Sequence, residues 1–309
     1  MKLSIVVPVY NEDESLKAFS EELLKVLLEK KYDYEIIFID DGSSDISLQV
    51  LKDFADSDNN IRIYSFRKNQ GKAEALTLGF QKAKGDFIIT MDADLQDKPS
   101  EIPNLLSKIE ENWDVVSGWR RDRKDKKKMV FASRLFNSLA KSFWGTDLHD
   151  YNCGLKIYRS EAAKSLKLYG GLHRFIPLIL HEQGFRVTEI PVEHEIRMYG
   201  KSKYGFSKVF KDLPDIFTML FLTRYGKKPL HLFGTIGLGL LGVGGLIFTY
   251  LVAIWLMGYS IGTRPLLTFS VLLIIGGLQI FFTGFLGELI ISLSQREYKA
   301  FPLKYSSDK

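Results

Sequence analysis

A single cysteine, Cys153, stands among the 309 residues, so no internal disulfide framework can hold the chain together, and it suits a reducing compartment. The pairs His181-Glu182 and His194-Glu195 both lack the second histidine of H-E-x-x-H, which excludes that zinc motif. Charge is missing altogether from Leu230 to Met257 and again from Leu266 to Gly287. Each run meets the roughly 20 residues needed to cross a hydrocarbon core of about 30 Å. A buried helix of a soluble domain rarely runs that far without an ionised side chain. The connection between them, Gly258 to Pro265, holds only Arg264. No signal peptide is expected, because the apolar run after Met1-Lys2 is short and Asn11 to Glu14 ends it.

What is present gives those absences a frame. Arg224, Lys227 and Lys228 precede the first charge-free run, and Arg296, Lys299 and Lys304 follow the second. Basic residues on these flanks place both ends in the cytoplasm, with the short turn outside. The expected organisation is a large N-terminal domain over 1–205, an amphipathic juxtamembrane segment over 206–228, two transmembrane helices over 229–294 and a cytoplasmic tail over 295–309. The net charge of +5 also has an address: RRDRKDKKK, Arg120 to Lys128, carries seven basic and two acidic residues. It is either a solvated loop or, beside a membrane anchor, a site of attraction to anionic headgroups.

Over the first 225 residues short apolar runs alternate with amphipathic ones. LSIVVPV, YEIIFID, IRIYSF, DFIITMD and WDVVSG read as strands. Leu16, Phe19, Leu23, Leu24 and Leu27 mark one face of a helix, and a second helix follows Gly71. This rhythm predicts an α/β fold with a mostly parallel sheet and helices on both faces. Ligands of such sheets sit beyond the carboxyl ends of the strands. Polar clusters fall at four of those ends: Tyr10-Asn11-Glu12, Asp40-Asp41-Gly42-Ser43, Arg67 to Lys72, and Asp92-Ala93-Asp94. Together they predict one site. Gly237, Gly239 and Gly242 fit G-x-G-x-x-G, but inside a charge-free run, with no strand before them, they predict close helix contact in lipid instead.

The stretch ITMDADLQD crowds Asp92, Asp94 and Asp97 into six residues. Such carboxylates repel one another unless a hard metal ion, a basic side chain or solvent separates them. Asp92 and Asp94, at alternate positions, can face one side at a strand end. Oxygen donors of this kind suit Mg²⁺ or Mn²⁺, which commonly share them with substrate phosphates.

VVPVYNE, DDGSSD, NQGKAEAL and MDADLQDKP, in this order, resemble the nucleotide-sugar-binding half of family 2 glycosyltransferases with the GT-A fold, a Rossmann-like arrangement. The resemblance implies that Pro8, Tyr10, Glu12 and Asp40 hold the nucleoside, that Lys72 holds the diphosphate, and that Asp92, Asp94 and Gln96 hold the metal. GWRRD, SRLFN, DYNCGLKIYRSE and RMYGKSKYG are similar to blocks of the polyprenyl-phosphate glycosyltransferases. That likeness covers nearly the whole chain and implies that Arg120, Arg134, Arg197 and Lys203 gather around the acceptor phosphate. Asp150 either acts as a base or orienting group, or caps the turn before Cys153. A phosphate monoester is already anionic near neutral pH, so the acceptor itself requires no base.

The segments Phe131 to Gly145 and Phe206 to Lys228 either lie in the headgroup plane or pack in the core. A processive polysaccharide synthase, which usually carries Q-x-x-R-W, is a weaker match, since no Arg-Trp pair occurs. A non-catalytic scaffold would not need Lys72, Asp92, Asp94 and Gln96. The expected activity is inverting transfer of one hexose to undecaprenyl phosphate on the cytoplasmic face of a bacterial inner membrane. UDP-glucose is the favoured donor, with GDP-mannose and UDP-N-acetylglucosamine as alternatives. The resemblance also makes a homo-oligomer reasonable and implies no nucleic-acid partner.

Overall fold

The computed structural model describes residues 1–121, 148–195, 218, 221, 225–226, 228–262 and 264–294. The chain divides into two compact units, Met1–Ile216 and Phe217–Lys309.

In the first unit β1 (Lys2–Val9), β2 (Asp33–Asp40), β3 (Ile61–Ser65), β4 (Phe87–Thr90), β5 (Val115–Trp119), β6 (Lys156–Arg159) and β7 (Val187–Pro191) form one sheet. Its order is β3-β2-β1-β4-β6-β5-β7. β1 pairs in parallel with β2 and β4, β2 with β3, and β5 with β7. Only β6 runs against its neighbours β4 and β5. The sheet is therefore mostly parallel, as the strand–helix rhythm predicts.

β1 and β2 are apolar almost throughout because both sheet faces are covered. Ile5, Val7, Ile36 and Phe38 face one core, joined by Leu16, Phe19, Leu23 and Leu27 of α1 (Asp13–Glu29). α2 (Ser47–Ser57) follows β2. On the opposite face α3 (Lys72–Lys82) presses so close to β1 that a Cβ on Gly79 would lie 2.2 Å from Val6 Cγ1. α4 (Ile102–Glu110) adds Ile102, Leu105, Leu106 and Ile109 to the first core. The shorter α5 (Ser160–Ser165) and α6 (Ile176–Glu182) follow β6.

Register brings the polar clusters together. Val9 pairs with Asp40 and Asp40 with Ser65, so three strands end level. β4 stops where Thr90 pairs with Val6, and the chain continues past that edge through Asp92 to Asp97.

The second unit holds α7 (Pro229–Leu256) and α8 (Pro265–Ser294), both long and apolar enough to cross a membrane. They pack antiparallel through glycines. A Cβ on Gly237 would lie 2.7 Å from the Gly277 carbonyl, and one on Gly284 would lie 2.7 Å from Phe233 Cβ. Gly239 and Gly242 have nothing within 4 Å. The close contact expected of the G-x-G-x-x-G run is thus made by Gly237 together with Gly244, one heptad apart, because positions i and i+7 share a helix face. Leu246, Leu256, Leu272 and Ile290 remain exposed on the outer surface of the hairpin. Glu288, the carboxylate on α8, accepts the Leu230 N–H at 3.3 Å, capping the first turn of α7 where helix donors lack intrahelical partners.

Candidate active site

The loops beyond the parallel strand ends are stitched to one another. The Asn11 N–H donates to Ser43 Oγ at 3.0 Å, the Ser44 N–H donates to Asn11 Oδ1 at 2.8 Å, and the Glu12 N–H donates to Ser47 Oγ at 3.0 Å. Asn11 reaches this geometry with φ of 53°, in the left-handed region that asparagine tolerates. Tyr10 beside it is exposed, and Pro8 lines a small cavity at the sheet edge. Asp40 is buried and accepts from the Ser43 N–H at 3.1 Å and Ser65 Oγ at 2.6 Å.

Its neighbour Asp41, which sequence reasoning left without a role, holds the next loop. It accepts from Asn69 Nδ2 at 2.9 Å, the Gln70 N–H at 2.6 Å and the Gly71 N–H at 2.9 Å. Burial raises its carboxyl above the usual carboxylate range, and the two backbone donors restrain the rise. Gly42, with φ of 69°, lets this turn lie on the 68–69 backbone, where a Cβ would come within 2.5 Å of the Lys68 carbonyl carbon. These contacts fix the start of α3 and hence Lys72.

Lys72 Nζ reaches Asp92 Oδ1 at 2.5 Å. Burial alone would lower the Lys72 pKa and raise that of Asp92. Their mutual attraction outweighs it, so the ammonium stands above its usual range and the carboxyl below. Among the three separators possible for the crowded aspartates, a basic side chain serves Asp92 here.

Asp94 Oδ1 accepts the Gln96 N–H at 3.2 Å, and Gln96 Nε2 donates to the Glu195 carbonyl at 3.2 Å. Asp97 is buried, with Oδ1 3.9 Å from His194 Nδ1. Burial and then the charge of Asp92 push its carboxyl up to about 7, against the pull of Arg120. Gly154 forms a cradle here, since a Cβ on it would lie 2.6 Å from Asp97 Oδ2 and 2.8 Å from Asp92 Oδ2. Excess negative charge around an all-oxygen donor set fits Mg²⁺ or Mn²⁺ chemically. Among the described residues, no three carboxylate, imidazole or thiol groups already converge as a finished shell.

A second cluster lies past β5. Arg120 Nε and Nη2 meet Asp150 Oδ2 and Oδ1 at 2.7 and 3.0 Å, a buried bidentate pair. Burial would lower the guanidinium pKa, but the bonds to Asp150 hold it above its usual range. Asp150 also accepts the Asn152 N–H at 3.2 Å, so it both orients Arg120 and caps the turn. His149, stacked on Trp119 at 4.3 Å, bonds through Nδ1 to Glu189. Arg134, Arg197 and Lys203 lie outside the described residues, as do the basic run from 122 onward, the 131–145 segment and most of 206–228.

The cavity beside Lys72 and Asp92 is also lined by Lys156 and His173, which the sequence did not single out. Lys156 falls between apolar neighbours and His173 beside Arg174, neither in a spaced motif, and the signal available was Lys156 inside the quoted block DYNCGLKIYRSE.

A mostly parallel α/β sheet with lysine and carboxylates at its strand ends is the arrangement expected of the GT-A fold. The fold recurs in glucosyl-3-phosphoglycerate synthase from Mycobacterium tuberculosis, in a complex with UDP, with a TM-score of 0.54 and 18% identity over 72% of this chain and 79% of that one. The chain belongs to glycosyl transferase family 2, whose model matches residues 4–167. Dodecaprenyl-phosphate galacturonate synthase from Rhizobium johnstonii is 37% identical over 96% of this chain and 90% of its own length. Undecaprenyl-phosphate 4-deoxy-4-formamido-L-arabinose transferase from Proteus mirabilis is 35% identical over 94% and 88%. Both likenesses extend through the apolar hairpin, as the expected polyprenyl-phosphate resemblance requires.

Proposed function

We propose that this enzyme transfers one sugar from a nucleotide diphosphate sugar to a polyprenyl phosphate, at the cytoplasmic face of a bacterial inner membrane. The observation that carries this is the likeness to two polyprenyl-phosphate sugar transferases across both the strand-end site and the hairpin. Two long apolar helices with exposed apolar surfaces suit a hydrocarbon environment, where a polyprenyl tail also resides.

In this reading Pro8, Tyr10, Glu12 and Asp40 form the nucleoside side of the site, and Lys72 turns from Asp92 to the diphosphate. Asp92, Asp94 and Gln96 would hold Mg²⁺ or Mn²⁺. That ion, when bound, supplies positive charge to the departing diphosphate. Arg120, held by Asp150, faces the acceptor phosphate together with Arg134, Arg197 and Lys203. An acceptor phosphate oxygen attacks the anomeric carbon as the bond to the diphosphate oxygen breaks, which inverts that centre. Asp150, already accepting N–H bonds from Arg120 and Asn152, serves as an orienting group rather than a base. UDP stays the proposed nucleotide, while glucose, the sugar expected first, is the sugar of neither relative's name.

Membranes containing the protein are incubated with each labelled nucleotide sugar and extracted with butanol. Label entering the extract from one donor is expected. Absence of label from every donor, with Mg²⁺ or Mn²⁺ supplied, would refute the proposal.

A further inference from the structure

His194 stands in the sequence as half of a zinc motif whose second histidine is missing, and the transfer just described gives it no task. The fold nevertheless buries its side chain, 4% exposed, against the loop that carries Asp94 and Gln96. Fixed contacts lead the chain there from β7. The Val192 N–H donates to the Trp119 carbonyl at 2.9 Å, the Glu193 N–H to Glu101 Oε1 at 3.1 Å, and the Glu195 N–H to the Gln96 carbonyl at 3.1 Å. Asp97 and His194 face each other in an antiparallel bridge.

These contacts decide which way the Gln96 amide points. Its Nε2 lies 3.2 Å from the Glu195 carbonyl and 3.4 Å from His194 Nε2. A carbonyl only accepts, so the amide nitrogen must be the end turned to it; the flipped amide would set oxygen against oxygen. The NH2 group in turn only donates, so His194 meets it with the Nε2 lone pair. The imidazole proton then sits on Nδ1, on the side of Asp97 Oδ1 at 3.9 Å. With both amide hydrogens directed to residues 194 and 195, Oε1 is the end left to accept. The Gln96 backbone is held as well, its N–H donating to Asp94 Oδ1 at 3.2 Å. A glutamine held only by its backbone could present either end of its amide to a cation, and only the oxygen can ligate Mg²⁺ or Mn²⁺.

Resting on the transfer reading above, in which Gln96 joins Asp92 and Asp94 at the ion, we propose that His194 is a positioning residue for the metal site. It takes one hydrogen of the Gln96 amide, the Glu195 carbonyl takes the other, and together they commit Oε1 to the cation. Neighbours that never touch a metal orient its ligands in this way.

The test uses purified full-length protein in detergent with Mn²⁺ and UDP as probes, and reads the Mn²⁺ Kd from the EPR signal of the free ion. His194→Phe keeps a ring and removes the acceptor, and should weaken Mn²⁺ binding about 10-fold, the lower end of the range for residues that orient a metal ligand. His194→Gln, whose Oε1 can replace Nε2, should restore most of the loss. Gln96→Ala should weaken Mn²⁺ at least as much as His194→Phe. Gln96→Ala/His194→Phe should be no weaker than Gln96→Ala, because His194 acts through that amide. An unchanged Mn²⁺ Kd in His194→Phe or in Gln96→Ala would overturn the proposal, even with a lowered thermal midpoint. So would a His194→Phe loss that persists undiminished in the Gln96→Ala background. If His194→Phe does not fold, His194→Met replaces it, and Mn²⁺ binding as tight in His194→Met as in His194→Gln would overturn the proposal equally. Wild-type labelling of lipid from nucleotide sugars is scored in parallel. Label present beside any of these overturning results leaves the transfer reading intact, whereas no label from any donor would overturn that reading and the positioning role with it.

Discussion

Replacing Asp150 by Asn would strand the Arg120 guanidinium in a buried setting. The pair's side chains are 14% and 3% exposed, and Lys156 is close enough to feel Arg120's charge. Breaking a buried pair by removing one partner costs about 3–5 kcal/mol. A domain of this size shifts by about 2–4 °C per kcal/mol, so the thermal midpoint should fall by roughly 6–20 °C. Arg120→Met should cost a similar amount, because Asp150 then keeps its charge with one donor fewer on each oxygen, and Asp97 loses a neighbouring cation. The double variant Arg120→Met/Asp150→Leu leaves neither charge buried and should be more stable than either single variant. The assay is thermal unfolding of the full chain in detergent, followed by tryptophan fluorescence. Transfer should stay low in the double variant even as stability returns, since Arg120 is then missing from the acceptor side. A double variant whose loss equals the sum of the two single losses would refute the treatment of this pair as one buried unit.

Asp41→Ala removes three acceptor contacts from the loop before Lys72; the KM for the nucleotide sugar should rise at least tenfold, and an unchanged KM with a lowered thermal midpoint would make Asp41 purely structural. Glu288→Leu removes the cap on α7, at a cost of about 0.5–2 kcal/mol; in detergent, proteolysis at the hairpin's Pro229 end should accelerate, and an unchanged cleavage rate would argue against the cap. Asp97, displaced from 3.8 to about 7, binds its proton more tightly in the folded chain than in the unfolded one. Its contribution to stability is then full below about pH 4 and lost as pH rises through about 7. In metal-free buffer the wild-type midpoint should fall between pH 5 and 8 by more than that of Asp97→Asn; equal falls would contradict the assignment.

β1, β2 and α1 were legible because burial on both sheet faces and on one helix face writes itself directly into the order of apolar residues. The hairpin was legible from missing charge. β6 and β7 were not: KIYR is four residues with a charge at each end, and VTEIP is only half buried. The antiparallel placement of β6 between β4 and β5 depends on pairing between distant segments, which local pattern does not encode. α2 was passed over because it buries only Ser47 and Leu51, and α4 because nine residues make a short window, although Ile102, Leu105, Leu106 and Ile109 fall at helical spacing. At the site, the strand-end clusters could be gathered from topology, since parallel strands bring their carboxyl ends to one edge. The partner choices could not. Asp150 joins Arg120 across thirty residues, and Lys72 joins Asp92 across twenty, distances over which only the folded backbone decides who meets whom. Lys156 and His173 went unremarked because neither Lys156 between apolar neighbours nor His173 beside Arg174 carries a spacing signal.

The most direct measurement is mass spectrometry of lipid recovered after purified full chain meets undecaprenyl phosphate and a panel of nucleotide sugars, with Asp94→Asn alongside. A lipid heavier by one sugar residue, formed by the wild type and lost in Asp94→Asn and on chelation of divalent ions, is the predicted result. Unmodified lipid with every donor, or sugar-bearing lipid still produced at full rate by Asp94→Asn, would contradict it.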